Sequence, residues 1–319
     1  MRQKRNCILL TEGTGQGIPD DYSNVTILAR SLVADASQRI HLLPGPGVDT
    51  PAKLSGWAFG AGVLNRVASH LEFLAKERET AGDDVRIFIF GFSRGALAAR
   101  YLADIVCKTG VPSSPSLARR ILKYHRTGEK EKLEDMRKNG KLSKPLEVEY
   151  LGTWDSVDST LEVDGSKIVN VPRLVKRARH AVAADEKRCF FAPLEMRGEN
   201  CEEMFFPGSH QDVGGGYVDN HVLSDVALAW IANPAINAGM RLKDGISFSE
   251  DFNPSQAIVH DSSSMPSNLF GILPDFVRKL DIKRFHRSLA LMRDLAAGKK
   301  RTARKSENKI AKGQSPSLV

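Results

Sequence analysis

Residues 86–106 read RIFIFGFSRGALAARYLADIV, with a serine between two glycines where an apolar strand pattern gives way to an Ala/Leu-rich helical one. Apart from Arg86, residues 85–90 are β-branched or aromatic, as in a buried strand, and residues 96–107 continue without a helix breaker. Gly91-Phe92-Ser93-Arg94-Gly95 therefore predicts a strand-to-helix reversal too tight for side chains two residues before and after the serine. Such a nucleophile elbow holds its serine exposed on a strained backbone. The following helix aims N–H groups and the positive end of its dipole at whatever the serine attacks. A plain Gly-Ser turn has the same five letters, so the reading depends on partners for Ser93.

The rest of the chain alternates strand and helix patterns. Strands are predicted at 7–10, 39–43, 146–152 and 204–206, and helices at 24–34, 64–78 and 224–232. Residues 177–186, RARHAVAADE, read as a further helix. No internal repeat interrupts this order, so the expected fold class is α/β, with a mostly parallel central sheet and helices on both faces. Function is expected at the carboxyl ends of the strands. Residues 118–140 are helical but heavily charged. They are expected to form an exposed helical insertion, spanning about 113–142, of the kind that covers an active site.

A nucleophilic serine needs a base, and the base needs an orienting acid; in elbow enzymes the chain order is serine, acid, histidine. His125 and His180 fall in helical patterns, His221 in a loop, and His260 and His286 late in the chain. His210 ends the apolar run MFFPGSH and opens HQDVGGGY, where Gly214 begins a run of three glycines able to curl over a site. It is the candidate base. Asp155, in VEYLGTWDSV, stands just past a predicted strand and between Ser93 and His210. It is the candidate acid, with Asp212 as competitor; Asp212 is better explained as an anchor for the glycine turn. Oxyanion donors are expected from the Arg94 N–H and from Gly13 or Thr14 in the loop after the first strand, with Glu12 as a supporting residue. The competing reading of that loop, a phosphate cradle, lacks the glycine spacing of either nucleotide motif.

Length and charge bound the alternatives. At 319 residues the chain can bury a large core. No apolar run nears the roughly 18 residues that span a bilayer. The apolar part of the N-terminus, residues 7–10, is too short for a signal peptide, so a cytoplasmic location is expected, with any export by a signal-independent route. Cys7, Cys107, Cys189 and Cys201 lie far apart with no metal spacing, so neither metal nor cofactor is expected. The net charge of +8 is concentrated at the C-terminus, where residues 275–319 hold thirteen Lys and Arg against four acids. The expected organisation is a catalytic domain over 1–274, then a basic helix and disordered tail over 275–319. A tail of this kind suits anionic lipid, nucleic acid or an acidic protein, or is simply a solvated end. Phe276, Leu280, Phe285, Leu289 and Leu295 keep roughly helical spacing, and such an apolar face either meets lipid or packs onto the core as a final structural helix. An anionic membrane surface is the expectation carried forward, with no nucleic-acid partner. Oligomeric state is not legible.

In order along residues 7–232, LLTEGTG, SNV, LLPGPG, GFSRGALAAR, LGTWDSV, ARHAVAADE, FFPGSHQDVGGGY and LSDVALAW resemble a bacterial and fungal α/β-hydrolase domain. That domain is the catalytic part of a class of type VI secretion phospholipase effectors. The resemblance implies an α/β-hydrolase fold and an ester hydrolase with Ser93, Asp155 and His210 at the triad positions. In bacterial members it implies cleavage of acyl chains from glycerophospholipids. One departure stands out: the family usually has Asp-Gly-Thr in the first loop, where this chain has Glu12-Gly13-Thr14. Two alternatives to a phospholipase stay open: a carboxylesterase or thioesterase for a small soluble substrate, and an inactive hydrolase-fold binding protein.

Overall fold

The structure, a computed structural model, describes residues 4–13, 22–45, 62–82, 84–157, 163–188, 191–262 and 278–297. Six parallel strands form one sheet: β1 (Arg5–Thr11), β2 (Gln38–Leu43), β3 (Val85–Phe92), β4 (Val148–Trp154), β5 (Ala178–Ala183) and β6 (Cys201–Phe206), in the order β2-β1-β3-β4-β5-β6. The central strands are apolar on both faces, and their side chains alternate between two cores. Cys7, Leu9, Ile87 and Ile89 join one core with α2 (Val63–Ala81) and α3 (Arg94–Lys108). Ile8, Leu10, Phe88, Phe90 and Phe92 join the other with α1 (Asn24–Ser31) and α7 (Val222–Asn237). Each such side chain, fully buried, contributes about 1.5–3 kcal/mol.

Topology decides which helix lies on which face. The chain steps outward from β1 to β2 through α1, then returns past β1 to β3 through α2 and onward to β4 through α3. Right-handed crossovers in opposite directions put α1 on one face and α2 with α3 on the other. The direction of winding reverses at β1, so the cleft beyond the carboxyl ends of β1 and β3 is where an open sheet binds its ligand. Ser93 follows β3 there.

Two expected segments differ in the structure. Residues 177–186 carry β5, not a helix: β5 is almost entirely buried between β4 and β6. An Ala-rich run buried on both faces has no alternation to betray it as a strand, and the sheet overrides its helical propensity. The helical pattern over 118–140 is divided between α4 (Ala118–Thr127) and α5 (Lys130–Lys138), which are separated at Gly128 with φ 71°. Nor is the insertion exposed throughout. Ala118, Ile121, Leu122, Leu133 and Met136 are buried in the α2–α3 core, and His125 bonds Thr109 and Asp104 at the end of α3.

The described part of the C-terminal basic segment is packed against the body. Leu289, on α8 (Arg287–Ala296), is buried with Val182, Ala184 and Phe205, and Leu280 and Phe285 pack on the same cluster. Phe285 bridges to Phe205 on β6, the His286 N–H donates to the Phe205 carbonyl at 3.0 Å, and the His286 ring stacks on Phe206 at 4.2 Å. Phe276, expected on the same apolar face, and residues 298–319 lie outside the described residues, as does the boundary expected at 274/275. Leu280, Phe285 and Leu289 thus serve the edge of the sheet, while Leu295 is exposed. Among the described residues, no helix is long and apolar enough to cross a membrane. Leu289→Ala is expected to lower unfolding free energy by about 2–4 kcal/mol in a urea titration. An unchanged midpoint would show that α8 is not part of the folded body.

Candidate active site

The elbow is built by close backbone approach. A Cβ at Gly91 would lie 2.3 Å from the Gly95 carbonyl oxygen, and one at Gly95 would lie 2.3 Å from that of Glu12 and 2.4 Å from that of Thr11. Both glycines are therefore sterically required, and the elbow is pressed against the loop that follows β1. Ser93 takes φ 58° and ψ −126°. Among the described residues only one other non-glycine has positive φ, Asp155 at 37°. The two cap neighbouring strands: Phe92 pairs in register with Trp154, and the Ser93 N–H donates to the Trp154 carbonyl at 3.0 Å. Strain of this kind costs about 1–3 kcal/mol per residue and persists where surrounding structure fixes it. Ser93 is only 3 % exposed, more enclosed than an elbow serine was expected to be. The residues on either side are packed as closely, Phe92 against His210 and Gly95 against the β1 loop.

Asp155 and His210 come together. The His210 Nδ1 lies 2.6 Å from Asp155 Oδ2, with both side chains buried. Paired with a carboxylate, Nδ1 carries the proton and leaves Nε2 as the basic nitrogen. The ring packs against Phe92 at 4.6 Å and edge-on to Phe191 at 4.8 Å, which fixes its tilt. Burial pulls the His210 pKa below its ordinary value, against the opposing pull of Asp155 and Glu186. Burial alone would raise the Asp155 carboxyl. The Arg278 charge and the bond from His210 outweigh it and hold Asp155 well below the usual carboxylate range.

Arg278 was not anticipated in this role. Its Nη1 donates to Asp155 Oδ1 at 2.5 Å and its Nη2 to Oδ2 at 3.0 Å, a buried two-pronged pair, while the Ala183 N–H donates to Oδ1 at 2.9 Å. Glu186 was missed as well. It accepts the His210 backbone N–H at 3.1 Å and the Ser262 hydroxyl at 3.0 Å, and it pairs with Arg188.

Asp212 stays off the His210 ring. It accepts the Ser209 N–H at 2.8 Å in a capping box at the start of α6 (His210–Gly214), and it also bonds His260 Nδ1 at 2.6 Å. Gly214 gives the turn its closeness, since a Cβ there would lie 2.0 Å from the Phe92 ring. Glu12 is fully buried and accepts hydroxyl bonds from Ser23, at 2.6 Å, and Thr26. It thereby ties the β1 loop to the N-terminus of α1. The Gly13 N–H, an expected oxyanion donor, donates to the Glu12 carboxylate at 3.3 Å instead. Glu12 is long enough to turn back on its own loop. Thr14 lies outside the described residues. Arg94 is the first residue of α3, so its N–H stands outside the helix's own bonding ladder. No group of three or more His, Cys, Asp or Glu that could hold a metal ion occurs among the described residues.

Residues 5–234 match the family described as the type VI secretion phospholipase effector Tle1-like catalytic domain. The uncharacterized protein YEL023C of Saccharomyces cerevisiae is 28% identical over 223 residues, which is 60% of this chain and 32% of that protein. This chain thus spans about a third of that curated relative's length. The Tle1 effector, solved bound to the VgrG spike of the type 6 secretion system, superposes with a TM-score of 0.51 at 16% identity, covering 96% of this chain and 82% of that one. A crystal structure of an uncharacterized protein from Pseudomonas aeruginosa gives a TM-score of 0.44 at 18% identity, covering 75% and 46%. The likeness to solved structures establishes an α/β-hydrolase fold.

Gly95→Ala sets a methyl group against two backbone carbonyl oxygens, and the expected cost is about 3 kcal/mol of stability. Chemical denaturation of the variant checks this. A midpoint equal to that of the parent would show that the elbow is not pinned to the β1 loop.

Proposed function

Because this chain belongs to the Tle1-like catalytic domain family of type VI secretion phospholipase effectors, we propose that it is a serine hydrolase cleaving the acyl esters of phospholipids. The observation that carries this reading is the buried 2.6 Å bond between Asp155 and His210, whose ring packs on Phe92, the residue before the serine of the strained turn. In the proposed reaction His210 Nε2 takes the Ser93 hydroxyl proton as Oγ attacks the ester carbonyl. Asp155 stays ionised and stabilises the imidazolium that forms. The Arg94 N–H, at the positive end of α3, donates to the developing oxyanion, an interaction worth about 3 kcal/mol in such sites. Imidazolium then protonates the departing alcohol, leaving an acyl group on Ser93. Water, activated by the same histidine, releases the fatty acid. Phospholipid as substrate rests on the family. The ester chemistry rests on the site.

Ser93→Ala is expected to lower kcat/KM at least about a thousandfold on both a short soluble ester and phospholipid vesicles, with an unchanged melting temperature. Turnover near that of the parent would end the hydrolase reading. Hydrolysis of the soluble ester alone would retain the enzyme and discard the phospholipid.

The pH profile follows from His210. Only the neutral imidazole accepts the serine proton, so kcat/KM rises with pH through the free enzyme's His210 pKa. Burial depresses that pKa, so the acid limb is expected below the ordinary imidazole value of about 6.5. A limb at or above that value would contradict the buried environment described here.

A further inference from the structure

The family match ends at residue 234, yet the acid of the site is held by a residue well beyond it. The Arg278 guanidinium is fully buried, and four of its five N–H donors are satisfied by four acceptors. Nη1 donates to Asp155 Oδ1 and to the Ala183 carbonyl, and Nη2 donates to Asp155 Oδ2 and to the Phe191 carbonyl. Those acceptors are the acid, the end of β5, and the residue whose ring packs edge-on to His210. The segment that delivers Arg278 is itself anchored along β6. Phe285 bridges to Phe205, His286 stacks on Phe206, and Arg284 pairs with the buried Glu203 at 2.6 Å. His210 follows β6, so one segment braces the acid directly and the strand that leads to the base.

We propose that Arg278 is a positioning residue for catalysis: its two-pronged bond fixes the orientation of the Asp155 carboxylate on His210 Nδ1. The proposal rests on the reading of Ser93, His210 and Asp155 as a serine hydrolase. A fork-to-fork arginine–carboxylate pair sets orientation as well as charge, which a lysine cannot do. Arg278 also spends part of the Asp155 charge that would otherwise stabilise protonated His210. The other charges around His210 are Glu186 and Arg188, from the segment after β5. Asp185 is turned to the Gly208 N–H, and Asp212, on the same turn as His210, to Ser209 and His260. With Arg278 gone, Asp155 acts on His210 undiminished, and the acid limb of kcat/KM moves to higher pH.

The test uses the full chain, a soluble aryl ester and a fluorophosphonate probe, with melting curves to establish that each variant is folded. Arg278→Met is expected to lower kcat about a hundredfold through misplacement of the acid, with KM within about twofold and the acid limb moved upward. Arg278→Lys restores the charge without the fork, so the limb returns toward its parental position while kcat recovers only in part. If Arg278→Met does not fold, the lysine variant carries the test alone: lowered kcat with a near-parental limb supports the role, and parental kcat overturns it. Folded variants with parental kcat and an unmoved limb overturn the proposal, as does a loss of activity that follows melting temperature with no change in the limb. The hydrolase reading fails separately. In that case the parent chain itself takes up no probe at Ser93, whatever its Arg278 variants do.

Discussion

Asp155 is a carboxylate with no exposed surface, and the arrangement around it depends on how that buried charge is satisfied. Removing an ion from water costs several kcal/mol even after the protein relaxes. Asp155 meets this with the Arg278 fork, the Ala183 N–H and the His210 ring. Deleting one partner of such a pair typically destabilises by about 3–5 kcal/mol, because the other charge remains buried. The pair is therefore weak as a source of net stability and strong as a constraint. While Asp155 is ionised, His210, β5 and the C-terminal segment must stay where they are.

The fold supplies the second constraint. Both non-glycine residues with positive φ among the described residues sit at the tips of β3 and β4, adjacent strands beside the reversal in winding. Their backbones are held by the sheet itself, through the Ser93 N–H on Trp154 and the Asp155 N–H on Ala181 at 2.7 Å. Rigid strands thus carry the strain, and helices on both faces fill the cores that keep the strands in register. Behind the elbow, the Glu12 carboxylate gathers the β1 loop and the N-terminus of α1 into the same body. The Asn24 side chain continues that connection to the Val213 carbonyl on the His210 turn at 2.9 Å.

What was legible in the sequence was local. Gly91 and Gly95 announced the elbow because a close approach of backbones leaves no substitute for glycine. The pairing of His210 with Asp155 followed from strand ends and chain order. β5 was misread because full burial removes the alternation that marks a strand. The insertion was misread because its few apolar residues, spaced along two short helices, all face the core. Arg278 was invisible: its contact with Asp155 spans 123 residues, and one arginine among many basic residues carries no local mark of burial. The apolar spacing of the same segment fitted a lipid-facing helix and a structural one alike, and Phe285, His286 and Leu289 belong to the edge of the sheet.

The central claim is that Ser93 carries the acyl group between two half-reactions, with His210 as base. Trypsin releases Ser93 in the peptide IFIFGFSR, residues 87–94, so mass spectrometry after rapid acid quench of an ester turnover reads that intermediate directly. The account predicts a peptide heavier by one acyl group, appearing within the first turnover and absent from the His210→Ala variant. Steady turnover with an unmodified peptide, or the acyl group on any other residue, would contradict it.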